Sequence, residues 1–294
     1  MADASLQDRT IVITGASDGI GRAAVRAYAA AGAHVIMVGR NEAKTSAAAR
    51  AIMGETNSRR ITWEIADLSR QDDLRDLAER LRTRCARIDV LVNNAGAVFL
   101  DRETTIDGIE RTLALNHLVY MALTILLLDR LQARPNGNEP TARVLCVSSR
   151  AHREAKLDLD DLQMARRYGG WRAYANSKLA NILFTRALAA RLDPTQVVVH
   201  ALHPGVVSTR FAVNNGRRGR LMRRIMDLVS IAPDAGADTI VWLSRASEAL
   251  ATTGEYWVKR ARVAPSRAGQ DARLAESLWA QSAAMLGLDL PRRS

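Results

Sequence analysis

Cysteine is scarce: Cys85 and Cys146 are the only two, far apart and each in or beside an apolar run. That count excludes a disulfide framework, and no cysteine or histidine stands at a metal-ligating spacing. Reduced thiols in a cytoplasmic protein, with no metal, are expected. Aromatic residues make up 4% of the chain, so the core has to come from Ala, Val, Leu and Ile. No apolar run is long enough to span a bilayer; the longest, around Met121 to Leu128, suits a buried helix. The first residues lack a basic stretch followed by an apolar one, so no secretory leader is expected. No Pro- or Ser-rich linker, repeat or compositional break divides the 294 residues, which points to one domain over 1–294. Motifs for nucleic-acid binding are missing as well.

Acidic charge is in short supply. Asp and Glu number 31 against 42 Lys and Arg, a formal charge of +11. Arginines are scattered along the chain, which implies a generally basic surface. One cluster stands out, Arg217, Arg218, Arg220, Arg223 and Arg224, interleaved with Leu221, Met222, Ile225, Met226 and Leu228. The pattern predicts a basic amphipathic helix at 217–229. Contact with a membrane surface or an acidic partner is one reading; the favoured one is a lid, within about 210–230, whose apolar side covers a pocket.

What is present is an alternation of short apolar strands and helical patterns. Thr10–Thr14, His34–Val38, Ile61–Ile65, Ile88–Val92, Arg143–Val147, Gln196–Leu202 and Glu255–Val258 read as strands. Helical spacing fills 19–31, 42–53, 72–84, 104–131, 174–192, 234–245 and 271–286, with a loop at 134–141. Continuously apolar strands of this kind belong to a parallel sheet covered on both faces. The expectation is an α/β, doubly wound Rossmann-type sheet of about seven strands with helices on both faces.

Gly15-Ala16-Ser17-Asp18-Gly19-Ile20-Gly21 joins the first strand to the first helix. Small residues there let the backbone approach a diphosphate, and a helix N-terminus offers amide donors and a positive dipole end. The same residues spell Gly-x-Ser-x-Gly, the nucleophile elbow of α/β hydrolases, with Ser17 as nucleophile. That elbow normally follows several strands rather than the first. Its acid and base would have to come from further on, with His200 and His203 as candidates. The second strand ends Val38-Gly39-Arg40-Asn41 with no carboxylate to take a ribose 2′-hydroxyl. Arg40 is placed to meet a 2′-phosphate, with Arg22 nearby to help. NADP(H) is therefore preferred over NAD(H).

Tyr174 and Lys178, in Tyr174-Ala175-Asn176-Ser177-Lys178, share one face of a helix. An ammonium beside a tyrosine favours the phenolate and lowers its pKa, giving a general acid or base for a carbonyl or alcohol. Tyr-x-x-x-Lys is a weak signal alone. Here it stands in order with Thr14 to Gly21, Asp67-Leu68, Asn93-Asn94-Ala95-Gly96, Asn116, Ser148-Ser149 and His203-Pro204-Gly205-Val206-Val207-Ser208-Thr209, each at a strand end or on the helix that follows. In these residues, from about Thr10 to Val258, the chain resembles the short-chain dehydrogenase/reductase family. Leu115-Asn116-His117-Leu118, Val147 to His152 and Tyr174 to Phe184 are similar to the branch of retinol dehydrogenases and related carbonyl reductases.

The resemblance implies an enzyme that interconverts a ketone or aldehyde and its alcohol. Tyr174 would transfer the proton, Lys178 would lower its pKa and bond the nicotinamide ribose, Ser149 would hold the substrate oxygen, and Asn116 would anchor a proton-relaying water. The 15–21 turn, with Ser17, Asp18 and Ile20 among its residues, would cradle the cofactor. Arg40 and Asn41 would flank its ribose. Asp67, with Leu68, would meet the adenine, and Asn93, Asn94, Ala95 and Gly96 would line the groove. Val206 and Thr209, with Pro204, Gly205 and Val207, would hold the carboxamide and diphosphate. An insertion at about 150–172 would wall a pocket for a bulky retinoid-, steroid-, lipid- or polyketide-like substrate. Tyr168 and Trp171, with Leu157, Leu159 and Leu162, are its candidate contacts. Many animal members of the branch carry a membrane anchor, which this sequence does not show. A protein that binds NADPH without catalysis is the other alternative to the hydrolase. Whether the chain is a monomer or a homodimer is open at this point.

Overall fold

The computed structural model describes residues 5–133, 141–205 and 232–288. The expected loop at 134–141 falls almost wholly outside these residues, as do Val206, Val207, Thr209 and the basic helix at 217–229.

Eight strands form one sheet in the order β3-β2-β1-β4-β5-β6-β7-β8. They are β1 (Thr10–Thr14), β2 (His34–Gly39), β3 (Ile61–Ile65), β4 (Val90–Asn93), β5 (Ala142–Val147), β6 (Val197–His203), β7 (Glu255–Val258) and β8 (Ala261–Arg262). β1 to β7 pair in parallel, and only β8 returns antiparallel to β7. The sequence led us to expect about seven strands. The eighth is two residues long, too short to show alternation.

Successive side chains of β1 point to opposite faces, and each face is covered. Val12 joins a core with Leu91, Val144 and Val199, packed under α3 (Gln71–Arg84), α5 (Val119–Leu126), α7 (Gly170–Ala189) and α10 (Ala272–Leu286). Ile11 and Ile13 join the other core with Val92, Leu145 and Leu202, under α1 (Gly19–Ala30), α2 (Glu42–Thr56) and α8 (Pro233–Leu243). The helices start where capping side chains stand. Asp18 accepts from the Gly19 amide, Asn41 from the Lys44 amide and Asp271 from the Arg273 and Leu274 amides.

One expected helix is redrawn. The stretch 104–131 does not begin as a helix, because Gly108 turns left-handed at φ +73° and Thr104 bridges to Glu110. Glu110 then caps α4 (Arg111–Leu113), accepting from the amides of Thr112 and Leu113 at 2.7 Å. A π-helical turn, Ala114–Leu118, leads into α5, and α6 (Leu128–Gln132) follows. The remaining short helix, α9 (Arg267–Gln270), precedes α10.

Strand order reverses between β1 and β4, and the ends of β1, β4, β5 and β6 open on one edge of the sheet. A ligand crevice belongs at such a point.

Candidate active site

The turn after β1 is held by close packing. Gly15 has φ +64°, and a Cβ on it would come 2.9 Å from the Ala95 Cα; one on Gly21 would come 2.3 Å from the Gly15 carbonyl oxygen. Neither position tolerates a side chain. Asn94 fastens this turn to β4: its Nδ2 donates to the Thr14 carbonyl at 2.8 Å, and its backbone N to Thr14 Oγ1 at 3.0 Å. Asn94 therefore shapes the crevice with its side chain already committed. Asp18 is likewise committed, to Gly19 and to Lys44 Nζ at 2.7 Å. Asn41 caps α2, Ile20 leans on the core beneath, and Leu68 is buried in the core on the other face.

Arg40 follows β2 in an exposed position, with its charge acting on Asp67. Asp67 follows β3. Burial opposes its ionisation, but hydrogen bonds from the Ser69 hydroxyl and amide, with the charges of Arg40 and Arg111, hold its carboxyl below the ordinary range. Arg22 faces Glu55 at 3.5 Å on the surface.

The second half of the site converges on α7, which starts at Gly170 and so carries Tyr174 on its second turn. Lys178 lies one turn on, 3% exposed, with Nζ donating to the Val147 carbonyl at 3.1 Å and 5.5 Å from the Tyr174 ring centre. Burial lowers the lysine to about 7. It also raises Tyr174 to about 12, against a hydrogen bond with the Ser149 hydroxyl that works the other way. Desolvation is the largest influence on each group. Burial opposes the charged form of each, the ammonium as much as the phenolate.

The two serines after β5 divide their roles. Ser148 donates to the Lys178 carbonyl at 2.7 Å and is buried, while Ser149 faces Tyr174. Asn116 sits in the π-turn. Its Nδ2 donates to the Ala97 carbonyl (2.8 Å) and Ser177 Oγ (3.1 Å), and its Oδ1 accepts from the Ala97 amide (2.9 Å). Both amide hydrogens are spent, so any relay of protons there has to use an oxygen. Gly96 lies against the same atoms: a Cβ on it would stand 3.2 Å from Asn116 Oδ1 and 3.4 Å from Lys178 Nζ. Pro204 and Gly205, partly exposed, follow β6.

Residues 9–218 match the short chain dehydrogenase family. The chain is a short-chain dehydrogenase. Human retinol dehydrogenase 13 is 35% identical over 98% of this chain and 87% of its own length. A Streptomyces protein provisionally assigned as daunorubicin C-13 ketoreductase DnrU is 40% identical over 96% of this chain and 94% of its own. Among solved structures, a short-chain dehydrogenase of Escherichia coli CFT073 complexed with NADPH is 28% identical, covers 87% of this chain and 98% of its own, and superposes with a TM-score of 0.66. The likeness places this short-chain dehydrogenase in the retinol dehydrogenase-like branch.

In this short-chain dehydrogenase the insertion residues separate. Trp171 stands 41% exposed with its ring 5.5 Å from that of Tyr174, and its indole N–H donates to Glu154. Tyr168 instead donates to the Phe99 carbonyl at 2.9 Å and meets Thr112 Oγ1 at 3.1 Å, joining two segments of the wall. Leu162 is buried, and Leu157 and Leu159 pack on the main core. Tyr174 itself packs in a small buried apolar cluster with Val98, Ala151 and Ala175, and Leu100 and Ala155 rest against it. Sequence reasoning did not single these out; only Ala151 and Ala175 lay inside quoted motifs.

The hydrolase alternative finds no base. Ser17 makes no hydrogen bond to a histidine among the described residues. His200 is a core residue, bonded to the Ala249 carbonyl at 2.8 Å and to the Trp257 indole at 3.1 Å. Among the described residues, no helix is long and apolar enough to cross a membrane.

Proposed function

We propose that this protein is an NADP(H)-dependent oxidoreductase that interconverts a ketone or aldehyde and its alcohol, with Tyr174 as general acid and base. The observation that carries the reading is the meeting of Tyr174, Ser149 and Lys178 at the end of β5, beside the glycine turn. The residues present suit a dinucleotide. The 15–21 turn and the N-terminus of α1 would take the diphosphate, Asp67 the adenine, and Arg40, exposed after β2, a 2′-phosphate. When bound, such a cofactor gives or accepts the hydride.

The chain's own residues handle the oxygen and its proton. In reduction, Ser149 donates a hydrogen bond to the carbonyl oxygen, and Tyr174 gives that oxygen its phenolic proton. The phenolate left behind draws on the Lys178 ammonium, two groups that ionise more readily together than either does alone. Oxidation runs the same proton back to Tyr174. Lys178, at about 7, is poised to exchange protons at neutral pH.

Trp171, exposed beside the Tyr174 ring, and partly buried Leu100 near it support a bulky apolar substrate. Relatives named for retinol and for daunorubicin, an isoprenoid and a polycycle, support the same class. A panel of aliphatic, steroid and polyketide ketones with NADPH, followed by loss of NADPH absorbance, tests the reading. Turnover by wild type and none by Tyr174→Phe is expected. Substantial turnover by Tyr174→Phe sinks it.

A further inference from the structure

The family match ends at residue 218, yet the helices beyond it bond back into the site. Two buried histidines make the connection. His152, in the turn after Ser149, has Nδ1 2.7 Å from the Ser149 carbonyl oxygen and Nε2 3.1 Å from the Ser266 backbone nitrogen. A carbonyl only accepts and a backbone amide only donates. The ring is therefore neutral with its proton on Nδ1.

His117 follows Asn116 in the π-turn. Its Nδ1 lies 3.3 Å from Asn181 Oδ1 and its Nε2 3.0 Å from Ser282 Oγ. The Asn181 amide is oriented by its Nδ2, which donates to the carbonyls of Asn116 (2.9 Å) and Val147 (3.3 Å). Asn181 Oδ1 must then accept, so His117 also carries its proton on Nδ1 and takes the Ser282 hydroxyl proton at Nε2. The Val147 carbonyl shared by Asn181 is the one that holds Lys178 Nζ.

Both rings thus point their proton toward a support of a catalytic side chain and their bare nitrogen toward a donor beyond residue 218. Burial favours this neutral state in each, lowering His117 to about 4 and His152 below its ordinary value. The far partner of His117 is firmly seated. On α10, Trp279 stacks on Phe184 of α7 at 5.9 Å, and Arg191 lies over Trp279 while pairing with Glu276.

We propose that His117 and His152 are positioning residues that tie the C-terminal segment, α9 and α10, to Lys178 and Ser149. The proposal rests on the reading of Tyr174 above. The experiment compares wild type, His152→Ala, His152→Asn, Ser282→Ala and Tyr174→Phe. It reads kcat on a ketone that wild type reduces, and NADPH Kd by fluorescence titration. Asparagine sets an amide N–H where the imidazole Nδ1–H stood, so His152→Asn keeps the bond to Ser149 and loses Ser266. His152→Ala should lose about 10- to 100-fold in kcat at unchanged Kd, since misplacement of a reacting group by roughly 1 Å costs that much. His152→Asn should fall between it and wild type, and Ser282→Ala should lose kcat to a smaller degree, again at unchanged Kd. A His152→Ala kcat within about two-fold of wild type overturns the proposal, as does no recovery in His152→Asn or a Kd that weakens in step with kcat. Turnover persisting in Tyr174→Phe, by contrast, condemns the reading of the site and not the role of the histidines.

Discussion

The nucleotide half of the crevice and the catalytic half are built on opposite terms. Around β1 and β2, Ser17 is partly open, Arg40 is exposed, and the backbone rather than the side chains lines the turn. Around β5 and α7, Asn116, Ser148, Lys178 and Asn181 are buried and each is bonded. An open charge suits recognition, because it meets a ligand's phosphate without having been spent on the fold. A buried, fully bonded set suits chemistry, because it holds its geometry and acts in a medium of low dielectric. Substitutions in the catalytic half should therefore harm rate, and those in the nucleotide half affinity.

The sharpest way to break that contrast is Lys178→Met. It fills the same space without the charge and should lower kcat by about 100-fold or more, the usual scale for a lost acid–base partner. Steady-state kinetics beside an NADPH Kd would check it, with kcat falling far more than the loss of one ribose hydrogen bond weakens binding. Arg40→Ala comes next. Losing a charged hydrogen bond to phosphate should weaken NADPH by about 10- to 100-fold and leave NADH nearly unchanged, so the Kd ratio of the two is what matters. Equal losses for both would refute the 2′-phosphate role.

A third effect concerns stability. Burial brings Lys178 down to about 7 in the fold from its ordinary 10.5, so between those values the unfolded chain binds the extra proton. Stability should rise with pH across that window and level off below about 7, where both states carry the proton. Thermal melts in weak buffers should show this slope in wild type and a flatter one in Lys178→Met. The smallest effect is Asn41→Ala. It should cost about 1 kcal/mol as a lost helix cap and leave the NADPH to NADH preference alone. A changed preference would mean that Asn41 meets the cofactor directly.

Much of this contrast was legible in the sequence. The glycine turn, the strand ends and the Tyr174–Lys178 spacing are local signals, and the sheet follows from apolar runs. The same reading missed β8 and misplaced the start of the helix before Asn116, where Gly108 and the Glu110 cap decide the boundary. Trp171 and Tyr168 look alike by composition. The helix separates them, since Trp171 lies three residues before Tyr174 on α7 and Tyr168 lies outside it. The sequence shows the Lys178 charge beside Tyr174 but not the burial that raises the tyrosine's pKa, because desolvation depends on what covers a side chain rather than on its neighbours along the chain. His117, His152 and Asn181 were hidden for a related reason. Their partners Ser282, Ser266 and Val147 are distant in sequence, and no periodicity announces such pairs.

The central claim is that hydride and proton reach one carbonyl group beside Tyr174. Incubating a reducible ketone with NADPH carrying deuterium at the transferable position of nicotinamide C4, then weighing the alcohol by mass spectrometry, tests it most directly. Wild type should place the deuterium on the carbinol carbon, and Tyr174→Phe should form almost no labelled alcohol. An unlabelled alcohol from wild type, or labelled alcohol from Tyr174→Phe at the wild-type rate, would contradict the account.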